Sequence, residues 1–198
     1  MPHTEKSALR QQFRRARQSL GRRQRQHATR RANRHLYPLI KRGNRIGVYW
    51  PIGSELRLDD FVQTALKRGA RVYLPYIVPR ALRLWFTPYR ADARQAERQS
   101  GRSRLQIPQF HGEKIRAHRL NLLVLPLVGI DRKGYRLGQG GGYYDVSLAA
   151  CRHRLQPRKI GAGFACQYHD GDLPREAHDM RLDGFVCERG FTAFHQAV

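Results

Sequence analysis

The sequence predicts an α/β fold: a single domain with an open, mostly parallel twisted sheet flanked by helices and a basic helical arm at the N-terminus. Three observations predict it. Short apolar runs alternate with segments of helical periodicity through short links, the order that builds βαβ units and a parallel sheet. The run Leu122-Leu123-Val124-Leu125-Pro126 is apolar throughout, as a strand covered on both faces requires. The first 45 residues carry fourteen Lys or Arg against the single acid Glu5, and their apolar positions recur at helical spacing. With 198 residues, 40% of them hydrophobic, the chain can fill one continuous core. Residues 1–198 are therefore read as one domain, with residues 1–42 as the arm packed on it.

Each element has its own reason. Leu9, Phe13, Ala16 and Leu20 are spaced by four, three and four, which predicts an amphipathic helix over 5–20, with Thr4 as N-cap and Gly21 as its end. A second basic helix is expected from Arg22 to Leu36, stopping before Pro38. Residues 45–50 form a short apolar run closed by Pro51 and read as a buried strand. Leu58 to Arg68 reads as a helix with Gly69 at its C-terminal cap. Residues 71–74 read as the next strand, closed by Pro75. Alternation in Leu82-Arg83-Leu84-Trp85-Phe86 suggests an edge strand, and residues 88–120 read as polar and irregular, with Ser100-Gly101-Arg102-Ser103 as an exposed loop. Leu122 to Pro126 is the expected central strand. Tyr143 to Arg154 reads as helical, and Lys159 to Phe164 and Gly184 to Cys187 as strands.

Composition narrows the function classes. The formal net charge of +23 implies affinity for polyanions, whether nucleic acid, nucleotide phosphates or polycarboxylates, and does not choose among them. Much of it also reads as a solvated helical face. No apolar run is long enough to span a membrane, and the N-terminus lacks a secretory stretch. Cys151, Cys166 and Cys187 are too few and too scattered for a disulfide framework or a paired-Cys zinc site. The expectation is a cytoplasmic protein with reduced thiols.

The chemistry concentrates in Gly134-Tyr135-Arg136-Leu137-Gly138-Gln139-Gly140-Gly141-Gly142-Tyr143-Tyr144-Asp145. It follows the central strand and runs into a helix, the position where open α/β sheets bind ligands. Its glycines allow the positive φ that turns N–H groups inward as an anion nest, and Arg136 adds a fork suited to phosphate. It matches neither a Walker loop nor a dinucleotide fingerprint, and a plain glycine turn remains the alternative reading. Asp145 either complements the helix dipole or holds Mg²⁺ beside bound phosphates.

This loop, preceded by Pro126 and Asp131, resembles the signature of the 5-formyltetrahydrofolate cyclo-ligase (5,10-methenyltetrahydrofolate synthetase) family. Three further segments agree in order: Lys6-Ser7-Ala8-Leu9-Arg10; Tyr49-x-Pro51 with Glu55, Asp60 and Phe61; and Gly161-x-Gly163-Phe164-Ala165-x-Gln167 with Leu173-Pro174-x-Glu176-x-His178-Asp179. The resemblance implies ATP- and Mg²⁺-dependent cyclisation of 5-formyltetrahydrofolate to 5,10-methenyltetrahydrofolate, with ADP and phosphate released after phosphorylation of the formyl oxygen. Carried over residue by residue, it makes Lys6, Arg10 and Arg136 the catalytic cations. It assigns ATP to Lys6, Ser7, Ala8, Leu9 and Arg10, and to Arg136, Leu137, Gly138, Gln139, Gly140, Gly141, Gly142, Tyr143 and Tyr144. It assigns the folate to Trp50 and Glu55 and to Gln139 through Tyr143, and Mg²⁺ to Asp145 and Asp179. Without the pattern, Glu55 and the His178-Asp179 pair would read as loop residues. Two departures stand out: Gly141 lies where many relatives carry lysine, and Arg57 and Leu58 follow Glu55 where an acid or threonine is usual. The implied partners are ATP and a folate with or without a polyglutamate tail, with no specific nucleic acid, no membrane and a monomeric enzyme. The rival readings are a basic RNA-binding protein, which lacks any recognisable RNA-binding motif, and a sugar-phosphate isomerase or transferase on a similar sheet.

Overall fold

Continuous apolar strands can only be satisfied between two covered faces, and the order of the strands follows from that. The computed structural model of the chain describes residues 2–89, 96–100, 107–176 and 179–194. Its main sheet contains β1 (Arg45–Gly47), β2 (Arg71–Tyr76), β3 (Trp85–Pro88), β6 (Leu122–Pro126), β9 (Arg158–Ala162), β11 (Gly184–Cys187) and β12 (Gly190–Ala193). They lie in the order β12-β11-β9-β6-β1-β2-β3, so β6 is central as its composition required. The five inner strands pair in parallel, and β3 and β12 close the two edges antiparallel.

Period-2 alternation sorts the strands' side chains into two layers. Leu122, Val124, Ile46, Val72, Leu74, Ile160 and Val186 face one cluster, covered by α2 (Arg22–Leu36) and α3 (Asp59–Lys67) through Ala28, Ala32, Leu36, Phe61 and Ala65. Leu123, Leu125, Tyr73, Phe86 and Phe185 face the other, which takes Leu148 and Cys151 in and just after α4 (Tyr143–Ala149). A third, smaller cluster of Phe13, Val128, Leu137 and Leu173 docks α1 (Pro2–Gln18) onto the segment that carries the glycine loop. All three cysteines are free. No helix among the described residues is long and apolar enough to cross a membrane.

The element order matches the expectation; β1 stops at Gly47 rather than Trp50 and β3 starts at Trp85 rather than Leu82, and five further corrections follow. First, α1 begins at Pro2, which places Thr4 inside the helix rather than at its cap. Second, β2 continues through Pro75 to Tyr76. Pairing with β1 ends at Gly47↔Tyr73, so at Pro75 only β3 remains alongside and the missing proline N–H leaves no gap in a two-sided ladder. Third, the region expected to be irregular contains a hairpin of β4 (Ala96–Ser100) and β5 (Ile107–Phe110). Ser100 thus belongs to a strand, and Gly101, Arg102 and Ser103 lie outside the described residues. Fourth, α4 stops at Ala149, because the exposed Arg152, His153 and Arg154 offer no apolar face to bury. Finally, a three-stranded sheet of β7 (Gly129–Asp131), β8 (Arg136–Leu137) and β10 (Tyr168–His169) follows the central strand, and its β8 lies inside the glycine segment itself. Strands of two or three residues carry no periodicity that a sequence could reveal.

Candidate functional site

Chain direction explains where the site forms. The parallel strands β1, β2 and β6 run the same way, so the residues after them emerge at one end of the sheet. Tyr49 and Trp50 follow β1, Pro75 and Ile77 end β2, and Pro126 ends β6. They line a cleft of about 460 Å³ whose opposite rim is Arg136 and Gly138 to Asp145. This is the crevice beyond strand carboxyl ends that open α/β sheets use.

The glycine loop needs its glycines. Gly140 (φ +96°) and Gly142 (φ +71°) are left-handed, and Gly142 is the N-cap of α4. A Cβ on Gly138 would sit 2.7 Å from Arg136 Nη1, so the guanidinium folds back against the loop. Arg136 is held there by a 2.5 Å ion pair from Nη2 to Asp145 Oδ1, with its side chain 5% accessible. Leu137 is buried in the Phe13 cluster and presents no side chain to the cleft.

Helix α1 carries a row of four cations at positions 6, 10, 14 and 17, spacings of four, four and three that share one helical face; Arg10 and Arg14 bond to the glycine loop that rims the cleft, whereas Lys6 and its partners lie outside the cleft lining. Lys6 Nζ pairs with Glu176 Oε1 at 2.9 Å and Asp179 Oδ2 at 3.2 Å. Burial works against its charge, but the two carboxylates outweigh it and raise the ammonium above its ordinary range. Arg10 Nε donates to the Gly138 carbonyl at 2.9 Å. Arg14 Nη2 donates to Gln139 Oε1 at 2.6 Å, and the buried Arg17 donates from Nε to Ser54 Oγ at 2.9 Å. Of the run from 6 to 10, Leu9 joins Phe13 in anchoring the helix in the cluster with Val128, Leu137 and Leu173, while Ser7 and Ala8 are exposed.

Glu55 is 6% exposed. Its carboxylate accepts from Gln139 Nε2 at 3.0 Å and from the Ile52 N–H at 3.0 Å. Burial pushes its pKa up, while those two hydrogen bonds and the nearby Arg17 and Arg14 hold it down in part. Tyr144, which also lines the cleft, is driven well above the ordinary phenol range by burial and by Glu55, so it stays neutral.

The two carboxylates assigned to metal are engaged by cations. Asp145 holds Arg136, and Asp179 holds Lys6 and accepts the Glu176 N–H at 2.7 Å. Among the described residues no group of three or more His, Cys, Asp or Glu side chains is gathered around a common point. One or two carboxylates fit Mg²⁺ when phosphates and water supply the remaining oxygens, and do not fit a metal held by protein alone. His178 lies outside the described residues. Arg175 packs its guanidinium 4.8 Å from the centre of the Tyr135 ring.

Three residues of the site were not singled out from the sequence. Arg14 and Arg17 continue the helical row begun by Lys6 and Arg10, and the spacing was there to be read. Asp131 was noted only as a flank of the signature. It is 1% exposed and accepts the N–H groups of Lys133 (2.9 Å), Tyr135 (2.8 Å) and Leu173 (3.2 Å), tying the β7–β8 turn to the C-terminal loop that carries Glu176 and Asp179.

Comparison with known proteins bears directly on this arrangement. Residues 2–188 match the model of the 5-formyltetrahydrofolate cyclo-ligase family. The 5-formyltetrahydrofolate cyclo-ligase of Escherichia coli K12 is 32% identical over 153 residues, 76% of this chain and 81% of that protein. The Mycoplasma pneumoniae enzyme of the same name is 27% identical over 186 residues, 90% of this chain and 96% of that one. Among solved structures, the 5,10-methenyltetrahydrofolate synthetase of Aquifex aeolicus superposes with a TM-score of 0.78 at 25% identity, covering 98% of this chain and 94% of that chain.

Proposed function

This chain belongs to the 5-formyltetrahydrofolate cyclo-ligase family, and we propose that it closes 5-formyltetrahydrofolate to 5,10-methenyltetrahydrofolate using MgATP, in the cleft between the strand ends and the glycine loop. The observation that carries this reading is convergence: Arg136 of the phosphate rim and Glu55 and Gln139 of the folate end line one cleft, and Arg10 is bonded to its rim at the Gly138 carbonyl.

The formyl oxygen of the folate attacks the γ-phosphorus, the bond to ADP breaks, and a phosphorylated imidate forms. N10 attacks the imidate carbon, loses its proton, and the C–O bond breaks to release phosphate. Oxygen is a poor leaving group until phosphorylated, and the transfer needs positioning and charge neutralisation more than covalent help. Lys6, Arg10 and Arg136 supply the positive charge, and the N–H groups of Gly138 to Tyr144 supply donors. Mg²⁺, when bound, neutralises phosphate charge, with Asp145 and Asp179 as its protein ligands. Lys6 is paired with Asp179 and Arg136 with Asp145, so each cation is held beside a carboxylate that would hold the metal. Trp50 and Glu55 take the pterin, whose N3–H and 2-amino group form a two-donor edge that an ionised carboxylate accepts in bidentate fashion. We take a cytoplasmic monomer as the working unit.

The test is direct. Purified protein with Mg²⁺, ATP and 5-formyltetrahydrofolate should form methenyltetrahydrofolate, followed by its near-ultraviolet absorbance. Arg136→Ala and Asp145→Asn should each lower kcat by about 100-fold or more, the scale of a lost transition-state charge contact. Folate-independent ATP hydrolysis without methenyl product would overturn the reading, and wild-type rates in both variants would overturn the residue assignment. The RNA-binding and sugar-phosphate alternatives have no use for the Gln139–Glu55 end of the cleft.

A further inference from the structure

We infer that Arg14 and Arg17 of α1 are positioning residues for the Glu55 carboxylate, so that one helical row serves both the phosphate rim and the folate end of the cleft. The inference rests on the reading of Glu55 as the folate acceptor. It goes beyond that reading in saying what keeps Glu55 ionised and correctly oriented.

Glu55 has a problem of its own making. A carboxylate that is to accept two donors from a pterin must be charged, yet it is 6% exposed, and burial favours its neutral form. The surrounding groups decide the outcome. From the glycine loop comes the Gln139 amide, and from its own segment the Ile52 N–H. The hydroxyl of Tyr49 is committed to the Leu56 carbonyl at 2.5 Å. The phenols of Tyr49 and Tyr144 are held neutral by burial and by Glu55 itself. Among the described residues, the cations whose charge favours ionised Glu55 include Arg17 and Arg14, both from α1.

The two arginines act differently. Arg14 donates to Gln139 Oε1 (2.6 Å), and Gln139 Nε2 donates to Glu55 Oε1 (3.0 Å). Holding the amide oxygen fixes the amide's sense, so its NH₂ rather than its oxygen faces the carboxylate. The chain of bonds also polarises in one direction, which strengthens the last link. Arg17 works from beneath. Its side chain is 5% exposed, and Nε is fixed on Ser54, next to Glu55 in sequence. A guanidinium keeps its charge even where burial opposes it. Lysine in its place would carry the charge but could not fill the same fork.

The experiment compares Glu55→Gln, Arg14→Gln, Arg17→Gln and Arg17→Lys by steady-state kinetics and by the pH profile of kcat/KM for 5-formyltetrahydrofolate. Glu55→Gln is the reference and should raise the folate KM at least about 30-fold, since a charged acceptor becomes an amide. Arg14→Gln should raise the folate KM about tenfold, with kcat and the ATP KM within about twofold. Arg17→Gln should move the acid limb of the profile up by about one pH unit, because the cation that favours ionised Glu55 is gone. Arg17→Lys should restore the limb while leaving the folate KM raised. A structural role alone would lower stability without moving that limb. If Glu55→Gln raises the folate KM and the arginine variants leave both KM and pH limb unchanged, the inference falls and the reading of Glu55 stands. If Glu55→Gln leaves the folate KM unchanged, both fall. Should Arg17→Gln fail to fold, Arg14→Gln and Arg17→Lys decide the matter by the same readouts.

Discussion

Removing the Asp131 carboxylate should loosen the C-terminal loop before it touches the chemistry. Its two oxygens accept three backbone N–H groups: Lys133 and Tyr135 on Oδ1, and Leu173 on Oδ2. In Asp131→Ala the exposed Lys133 can turn its N–H to water, but Leu173 is 4% exposed and Tyr135 is half-buried. Two donors are therefore stranded, at about 1–3 kcal/mol each, for a loss of about 2–6 kcal/mol. In a protein of this size that lowers Tm by about 4–24 °C. Asp131→Asn should be milder and more local. Its remaining oxygen can serve the Lys133 and Tyr135 N–H pair, while its NH₂ meets the Leu173 N–H donor to donor. A loss of about 1–2 kcal/mol follows, with faster hydrogen exchange confined to the stretch from Leu173 to Asp179. Because Glu176 and Asp179 of that stretch hold Lys6, the ATP KM should rise in both variants more than the folate KM does. Calorimetry and amide exchange measure the first effects, and steady-state kinetics the last. A Tm change below about 2 °C in Asp131→Ala would refute the reasoning, as would equal losses in the two variants, which would make charge rather than acceptor count the deciding factor.

Two further outcomes follow from local geometry. Gly141 can carry a side chain: its φ is not left-handed, and a Cβ would meet only the Tyr143 ring edge at 3.3 Å. Gly141→Lys should therefore fold normally and lower the ATP KM about threefold to fivefold, the worth of an exposed ion pair; an unchanged or raised KM would place position 141 away from the phosphates. The basic residues of α2 should separate into two kinds. Arg22 and Arg23 are exposed, and replacing both with Ala should leave turnover and Tm nearly unchanged. Arg25 donates from Nη2 to the carbonyls of Arg17 (3.1 Å), Gln18 (3.4 Å) and Leu20 (3.4 Å), closing the end of α1. Arg25→Ala should cost about 1–2 kcal/mol and lower Tm accordingly; differential scanning fluorimetry reads all three positions, and equal effects would refute the distinction.

What the sequence determined by itself is local in origin. Continuous apolar runs marked the parallel strands, and Leu122 to Pro126 marked the centre, because burial on both faces leaves no polar position along a strand. The glycine loop was legible because positive φ at Gly140 and Gly142 is a backbone requirement that only certain residues meet. Helical spacing put Lys6 and Arg10 on one face of α1, and only the family pattern marked them for the site. The β4–β5 hairpin was hidden in a polar stretch without alternation, and β7, β8 and β10 were too short to show a period. Pairings across long stretches of chain were hidden for a deeper reason. Gln139 and Glu55 are 84 positions apart, and Lys6 and Asp179 are 173 apart, so the first contact waits for the sheet to assemble and the second for α1 to dock through Leu9 and Phe13. Fourteen cations crowd the first 45 residues, and nothing in their identity separates Arg14 and Arg17 from Arg22 and Arg23. Only the tertiary structure decides which face a carboxylate in low dielectric and which face water, and a charge matters to a neighbouring group in proportion to how much water lies between them.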